Sequence, residues 1–151
     1  DGGSGYNIGL DALKYYFANL DGFHRGTTIF NLIEEKTKLK DRELCSAIYK
    51  YGKKYIASFA KDIILLAESG DALAKDIINT NVKKASDLIL KAVEGFKKDV
   101  KISLTGSVAK SETYYIALTK MLHDKGYDNV STIKIPLSDG AAKLAMKLFN
   151  D

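Results

Sequence analysis

The chain has 151 residues, 46% of them hydrophobic, and 23 basic against 19 acidic side chains give it a formal net charge of +4. That length supports one domain with a sizeable core, burying roughly two-thirds of the unfolded chain's surface. Lysines interleaved with acids argue against a nucleic-acid track, the single cysteine leaves no intrachain disulfide, and no apolar run approaches the ~18 residues of a membrane helix, so a cytoplasmic protein with neither nucleic acid nor membrane as partner is expected.

Asp1-Gly2-Gly3-Ser4-Gly5 opens the chain without a methionine, and it reads as though it begins in the middle of something longer. Ser4 is a good N-cap, and Ile8, Leu13, Tyr16, Phe17 and Leu20 keep helical spacing up to Asp21-Gly22. The glycine-rich loop has two readings. It is a terminus that caps a helix, or Gly2 and Gly3 bring backbone close to a ligand whose hydroxyls donate to Asp1.

Thr28 opens a second helical pattern (Ile29, Leu32, Ile33) that fades in the lysine-rich run to Lys40. Asp41 is expected to cap a third (Leu44, Ala47, Ile48) ending at Tyr51-Gly52. A fourth carries Tyr55, Ile56, Phe59, Ile63 and Leu66 on one stripe and stops at Ser69-Gly70. Asp71 then caps the longest, with Leu73, Ile77, Ile78, Ala85, Leu88, Ile89, Ala92, Val93 and Phe96 in period, predicting a helix ~35 to 40 Å long.

Next comes the stretch around which the chain is organised, Val100 to Ser111. Val100, Ile102 and Leu104 alternate as a strand, Thr105-Gly106-Ser107 reads as a tight turn, and Val108-Ala109-Lys110-Ser111 opens a helical pattern. A glycine after a strand lets a ligand approach the backbone, and the first amides of the next helix favour an acceptor or negative charge; the same pattern also serves as a plain turn. Tyr115, Leu118 and Leu122 carry a helix to His123 and Gly126. Val130 to Ile135 is a second strand, ended by Pro136, and Ser138 caps a last helix with Ala141, Ala142, Leu144, Ala145, Leu148 and Phe149 as its apolar positions. Strand, crossover helix and strand make a parallel βαβ unit. Two strands are too few for a parallel sheet covered on both faces, so further strands are expected from outside the chain.

Most isolated chemistry-bearing residues have structural roles. His24 lies in the turn Asp21 to Gly26, which includes Arg25, and His123 lies at a helix C-terminus; both read as surface or structural histidines. Cys45 reads as a buried packing thiol, and no metal site is expected. Tyr15, Tyr16, Tyr49, Tyr51, Tyr55, Tyr114 and Tyr115 have the spacing of core and half-buried packing. No phosphate loop with its lysine is present.

Three motifs in this order carry a resemblance. Asp1-Gly2-Gly3-Ser4-Gly5-Tyr6-Asn7-Ile8-Gly9 resembles the Asp-Glu-Gly-Ser segment of N-acetylglucosamine kinases and the wider BadF/BadG/BcrA/BcrD ATPase family. Ala57-Ser58-Phe59-Ala60 with Glu68-Ser69-Gly70-Asp71-Ala72 looks like that family's helix pair, and Leu104 to Ser111 is similar to its adenosine motif. The resemblance implies an α/β, ribonuclease-H-like (actin-like ATPase) domain, helix-rich with few strands. Residues 1–151 would be the C-terminal (second) domain of a longer two-domain sugar kinase.

It implies ATP and Mg2+ as cofactors and an amino sugar, N-acetylglucosamine or a close relative, as substrate. Asp1 would bind sugar hydroxyls. Ser58, Gly106, Ser107 and Ser111 would face the nucleotide. The catalytic base and the chain's own partner, the N-terminal domain, would lie outside this sequence, so the chain alone is expected to be inactive; a homodimer is possible. Gly2 stands where most relatives carry a second acid, and Ser138-Asp139-Gly140-Ala141-Ala142 matches the family's last motif only loosely. The alternatives are an ATPase activator of a 2-hydroxyacyl-CoA dehydratase or benzoyl-CoA reductase, with an iron–sulfur cluster on cysteines, and a non-catalytic sugar-sensing module.

Overall fold

A computed structural model describes residues 1–24, 26, 28–133 and 137–150. Seven helices lie in chain order among them: α1 (Gly5–Leu20), α2 (Thr28–Thr37), α3 (Asp41–Ala57), α4 (Ala60–Glu68), α5 (Ala72–Ala92), α6 (Glu112–His123) and α7 (Leu137–Asn150). Two short strands, β1 (Ile102–Leu104) and β2 (Val130–Thr132), flank α6 and pair in parallel, Ile102 against Val130 and Leu104 against Thr132. The result is a helix-rich α/β chain.

The helix α1 is the hub. It packs on α2, α3, α4 and α5, and α5 in turn packs on α4 and α6. Its apolar stripe places Ile8, Ala12, Leu13 and Tyr16 in the core with Ile33, Leu44, Phe59, Ile63, Ile77, Val82 and Leu122. Burying side chains of this size stabilises the fold by roughly 1.5 to 3 kcal/mol each. The closest approach of α1 to α3 depends on Gly9: a Cβ there would sit 1.9 Å from the carbonyl oxygen of Ile56. Ser4 caps α1 by accepting from the Asn7 amide, and Asp71 caps α5 by accepting from Ala74.

The structure corrects several boundaries. Asp41 is the first residue of α3, at φ 39°, and its cap position is Lys40, which makes no side-chain cap bond. The helix passes through Gly52, kinked at φ 61° and ψ −150°, because glycine absorbs a turn that leaves Ile56 in the core. The break comes later, at Ser58-Phe59. There the Ser58 hydroxyl donates to the Tyr55 carbonyl and Lys36 Nζ donates to the Ser58 carbonyl, taking acceptors from the helical ladder.

The helix α5 ends at Ala92, about 32 Å long, rather than running to Phe96. Its buried stripe is Ala74, Ile77, Ile78, Asn81, Val82 and Ser86, while Leu88 and Phe96 are exposed because no described element covers that end. Val108–Lys110 form a 3-10 turn, and α6 begins only after Ser111, which accepts from the Tyr114 amide. Ser138 lies inside α7, not at its cap, and the apolar residues Leu144, Met146, Leu148 and Phe149 of that helix are exposed. Arg25, the end of the expected second strand at Ile135, and Pro136 lie outside the described residues.

Cys45 is half-buried and lines an apolar groove between α1 and α3, with Leu10, Phe17, Ile48 and Tyr49. Of the tyrosines, Tyr16 and Tyr114 are buried, but Tyr49 and Tyr51 are exposed, because α3 turns that face to solvent.

Candidate functional site

Two turns from opposite ends of the sequence meet. In the first, the Ser4 amide donates to the Asp1 carbonyl at 3.1 Å, closing a turn around Gly2 and Gly3. Gly3 is buried at φ 75°, and a Cβ on it would lie 2.4 Å from Ala85 Cβ and 2.7 Å from the Tyr114 hydroxyl. Only glycine fits between α5 and α6 in that conformation. The second turn, Thr105 to Ser107, leaves β1 with Gly106 at φ 105°, and nothing lies within 4 Å of the position its Cβ would take. Both turns line one cavity of about 360 Å³, walled by Leu88, Ile89, Ala109 and Leu118.

Tyr114 joins the turns to the core. Its hydroxyl donates to the Gly3 carbonyl at 2.6 Å and lies 3.3 Å from the Asn81 carbonyl. Burial pushes this phenol up to about 12, so it stays a donor across the neutral and mildly alkaline range. The Asp1 carboxylate accepts from Lys53 Nζ at 2.6 Å, and the same ammonium lies 5.0 Å from the centre of the Tyr6 ring. Lys53 follows the Gly52 kink directly.

A second cavity, about 420 Å³, lies on the other side of Ser107 and Val108. One wall is α4, through Ala60, Ile64, Leu65 and Glu68; the opposite wall is the Val108–Lys110 turn. Ser58, Ser107 and Ser111 stand on its border. The Ser58 hydroxyl spends its proton on Tyr55 and keeps its acceptor lone pairs, whereas Ser111 accepts from a backbone amide and keeps its proton to donate. Val108 and Ala60 pack against Gly5, whose missing Cβ would be 3.3 Å from Val108 Cγ2 and 3.5 Å from Ala60 Cβ.

Of the residues singled out in the sequence, Asp1, Gly106 and Ser107 therefore border the first cavity and Ser58, Ser107 and Ser111 the second. Three side chains that matter to this geometry carry no local signal in the sequence. Lys53 and Lys36 hold the Asp1 and Ser58 turns, and Thr113 donates to Glu68 Oε1 at 2.8 Å, tying α6 to α4 at the second cavity. These partners are 22 to 52 positions apart, so only the fold brings them together.

A third, polar cavity of about 350 Å³ between α1 and α5 is set by Asp11, which takes bonds from Lys14 at 3.0 Å, Asn81 at 3.0 Å and Lys84 at 3.1 Å. Desolvation raises the pKa of this carboxyl, but the three donors together outweigh it and hold it below the usual carboxylate range. Among the described residues no cluster of three or more His, Cys, Asp or Glu side chains could hold a metal ion.

The sequence profile of the BadF/BadG/BcrA/BcrD ATPase family matches residues 1–142, a span that takes in both turns, α4 and all of α6. No curated protein matches the chain.

Proposed function

The chain belongs to the BadF/BadG/BcrA/BcrD ATPase family, and from that premise we propose that it is the nucleotide-facing second domain of an ATP-dependent kinase for an amino sugar, N-acetylglucosamine or a close relative. The observation that supports this reading most is the meeting of the Asp1–Ser4 turn and the Thr105–Ser107 turn on one cavity, with a second cavity immediately beyond Ser107. A sugar acceptor and a nucleoside polyphosphate need adjoining pockets, and these two share Ser107 and Val108 in their linings. The domain would have the ribonuclease-H-like fold and work in the cytoplasm, beside an N-terminal domain that carries the catalytic base.

In this reading ATP, with Mg2+ carried on its phosphates, supplies the transferred phosphoryl group. The chain's own work is positioning, which is most of what phosphoryl transfer asks of a protein. Asp1, oriented by Lys53, accepts hydrogen bonds from sugar hydroxyls. Gly106 lets the polyphosphate approach backbone without a side chain in the way. Ser58, Ser107 and Ser111 offer acceptor and donor groups along the nucleotide, which would lie against Ala60, Ile64 and Val108. Closure against the other domain would exclude water.

A dehydratase-activating ATPase with an iron–sulfur cluster is the competing reading. This chain offers one thiol, Cys45, set in the separate groove between α1 and α3, and a cluster needs several thiolates. The test is made on the full-length protein with a panel of amino sugars, ATP and Mg2+, following release of ADP. Sugar-dependent ADP release supports the kinase. Its absence removes the assignment, and iron with a brown colour in the purified protein would replace it with the activator; binding of sugar without binding of ATP would mark a sensing module.

A further inference from the structure

The lining of the second cavity includes a carboxylate held at one of its two oxygens. Glu68 is the last residue of α4, and Thr113, in the first turn of α6, donates to its Oε1 at 2.8 Å. Among the described residues its second oxygen has no hydrogen-bond or ionic partner. A carboxylate can only accept. Its partner in the cavity therefore has to be an N–H or O–H.

Position decides which one. Ala60 and Val108 both pack against Gly5, which directly follows the Asp1–Ser4 turn. From Ala60, Ile64 and Glu68 follow on the same face of α4 at intervals of one helical turn, roughly 6 and 12 Å along the axis, and both line the cavity. A nucleotide whose phosphates lie at the turns has its ribose beside the middle of α4 and its base at Glu68. Resting on the nucleotide reading above, we infer that Glu68 determines base specificity by accepting from the 6-amino group of adenine, with Thr113 as the residue that positions it.

Calorimetry on the full-length protein with Mg2+ tests this, comparing ADP, 2′-deoxy-ADP and the diphosphate of purine riboside, which lacks the 6-amino group. The wild type is expected to prefer ADP over the purine analogue by about fivefold to tenfold, the effect of one charge-assisted bond at a partly solvated site. Glu68→Ala should weaken ADP by that factor, leave the purine analogue unchanged and so abolish the preference; Thr113→Val should erode it. Both side chains are exposed, and an unchanged melting temperature shows that the variants fold. If no nucleotide binds the wild type, the proposed function itself fails. If ADP binds and the ratio is the same in Glu68→Ala, only the role of Glu68 fails. Loss of affinity for 2′-deoxy-ADP that disappears in Glu68→Ala would assign the carboxylate to ribose and likewise overturn the inference.

Discussion

Replacing Tyr114 by phenylalanine removes one hydroxyl and keeps the ring that α6 buries. The Gly3 carbonyl, which is buried, then loses its donor at 2.6 Å, and the weaker contact to Asn81 at 3.3 Å goes with it. Leaving a buried acceptor unpaired costs roughly 1 to 3 kcal/mol, or a fall in melting temperature of ~2 to 4 °C per kcal/mol for a domain of this size.

The pH dependence gives a second and more specific signature. Because burial pushes the folded phenol up to about 12 from the ordinary tyrosine value of 10.0, folded Tyr114 keeps its proton at a pH where the unfolded residue gives it up. Its contribution is therefore complete below pH 10 and is lost as the pH rises toward 12. At about pH 11 the wild type should have lost on the order of 1 kcal/mol from this residue alone, while Tyr114→Phe loses none of it. Urea unfolding followed by circular dichroism at neutral pH and near pH 11 measures both quantities. Other tyrosines titrate in both proteins and cancel in the difference. A stability gap that stays constant across this range would refute the claim that Tyr114 is a buried donor holding the Gly3 turn.

Three further outcomes follow from the geometry. Gly9→Ala puts a Cβ 1.9 Å from the Ile56 carbonyl oxygen, so α1 and α3 must separate; a loss of about 1 to 3 kcal/mol or more is expected in urea unfolding, and an unchanged midpoint would contradict the packing. Gly106→Val meets open space in the fold but sits at φ 105°, so it should cost ~1 to 2 kcal/mol in backbone strain and raise the apparent KM for ATP far more than that for sugar; the reverse order would remove the turn from the nucleotide site. Asp11 has a depressed pKa, so its stabilising contribution is complete above the ordinary carboxylate value and is lost as the pH falls through the lower folded value. Asp11→Asn should flatten the fall in stability as the pH drops through and below the ordinary carboxylate range, and equal slopes in the two proteins would rule this out.

Local chemistry explains which parts of the fold were legible. Ser4 and Asp71 cap the helices they precede, and the stripe of Ile8, Leu13 and Tyr16 faces the core, because capping and helical period act within a few residues. Parallel pairing of β1 and β2 follows from a strand, crossover helix and strand. The end of α3 departs from its local signal because tertiary contacts override it, whereas α5 stops short of Phe96, which is left exposed. Gly52 bends a helix that Ile56 keeps anchored in the core, and the break moves to Ser58, where Lys36 reaches in from α2. At the site, the glycine turns stand out in the sequence, whereas Lys53, Tyr114 and the Thr113–Glu68 pair do not. Their partners are distant in sequence, and nothing in a lysine or a threonine on a polar helical face announces what it will touch.

The central claim is that the Thr105–Ser111 stretch and the Ser58–Ala60 break face one nucleotide across the second cavity. Amide hydrogen exchange of the full-length protein, with and without a non-hydrolysable ATP analogue and Mg2+, tests this most directly. Slowed exchange concentrated in residues 104–111 and 57–61 is the predicted result. Protection confined to other segments, with these two stretches exchanging as fast as in the free protein, would contradict it.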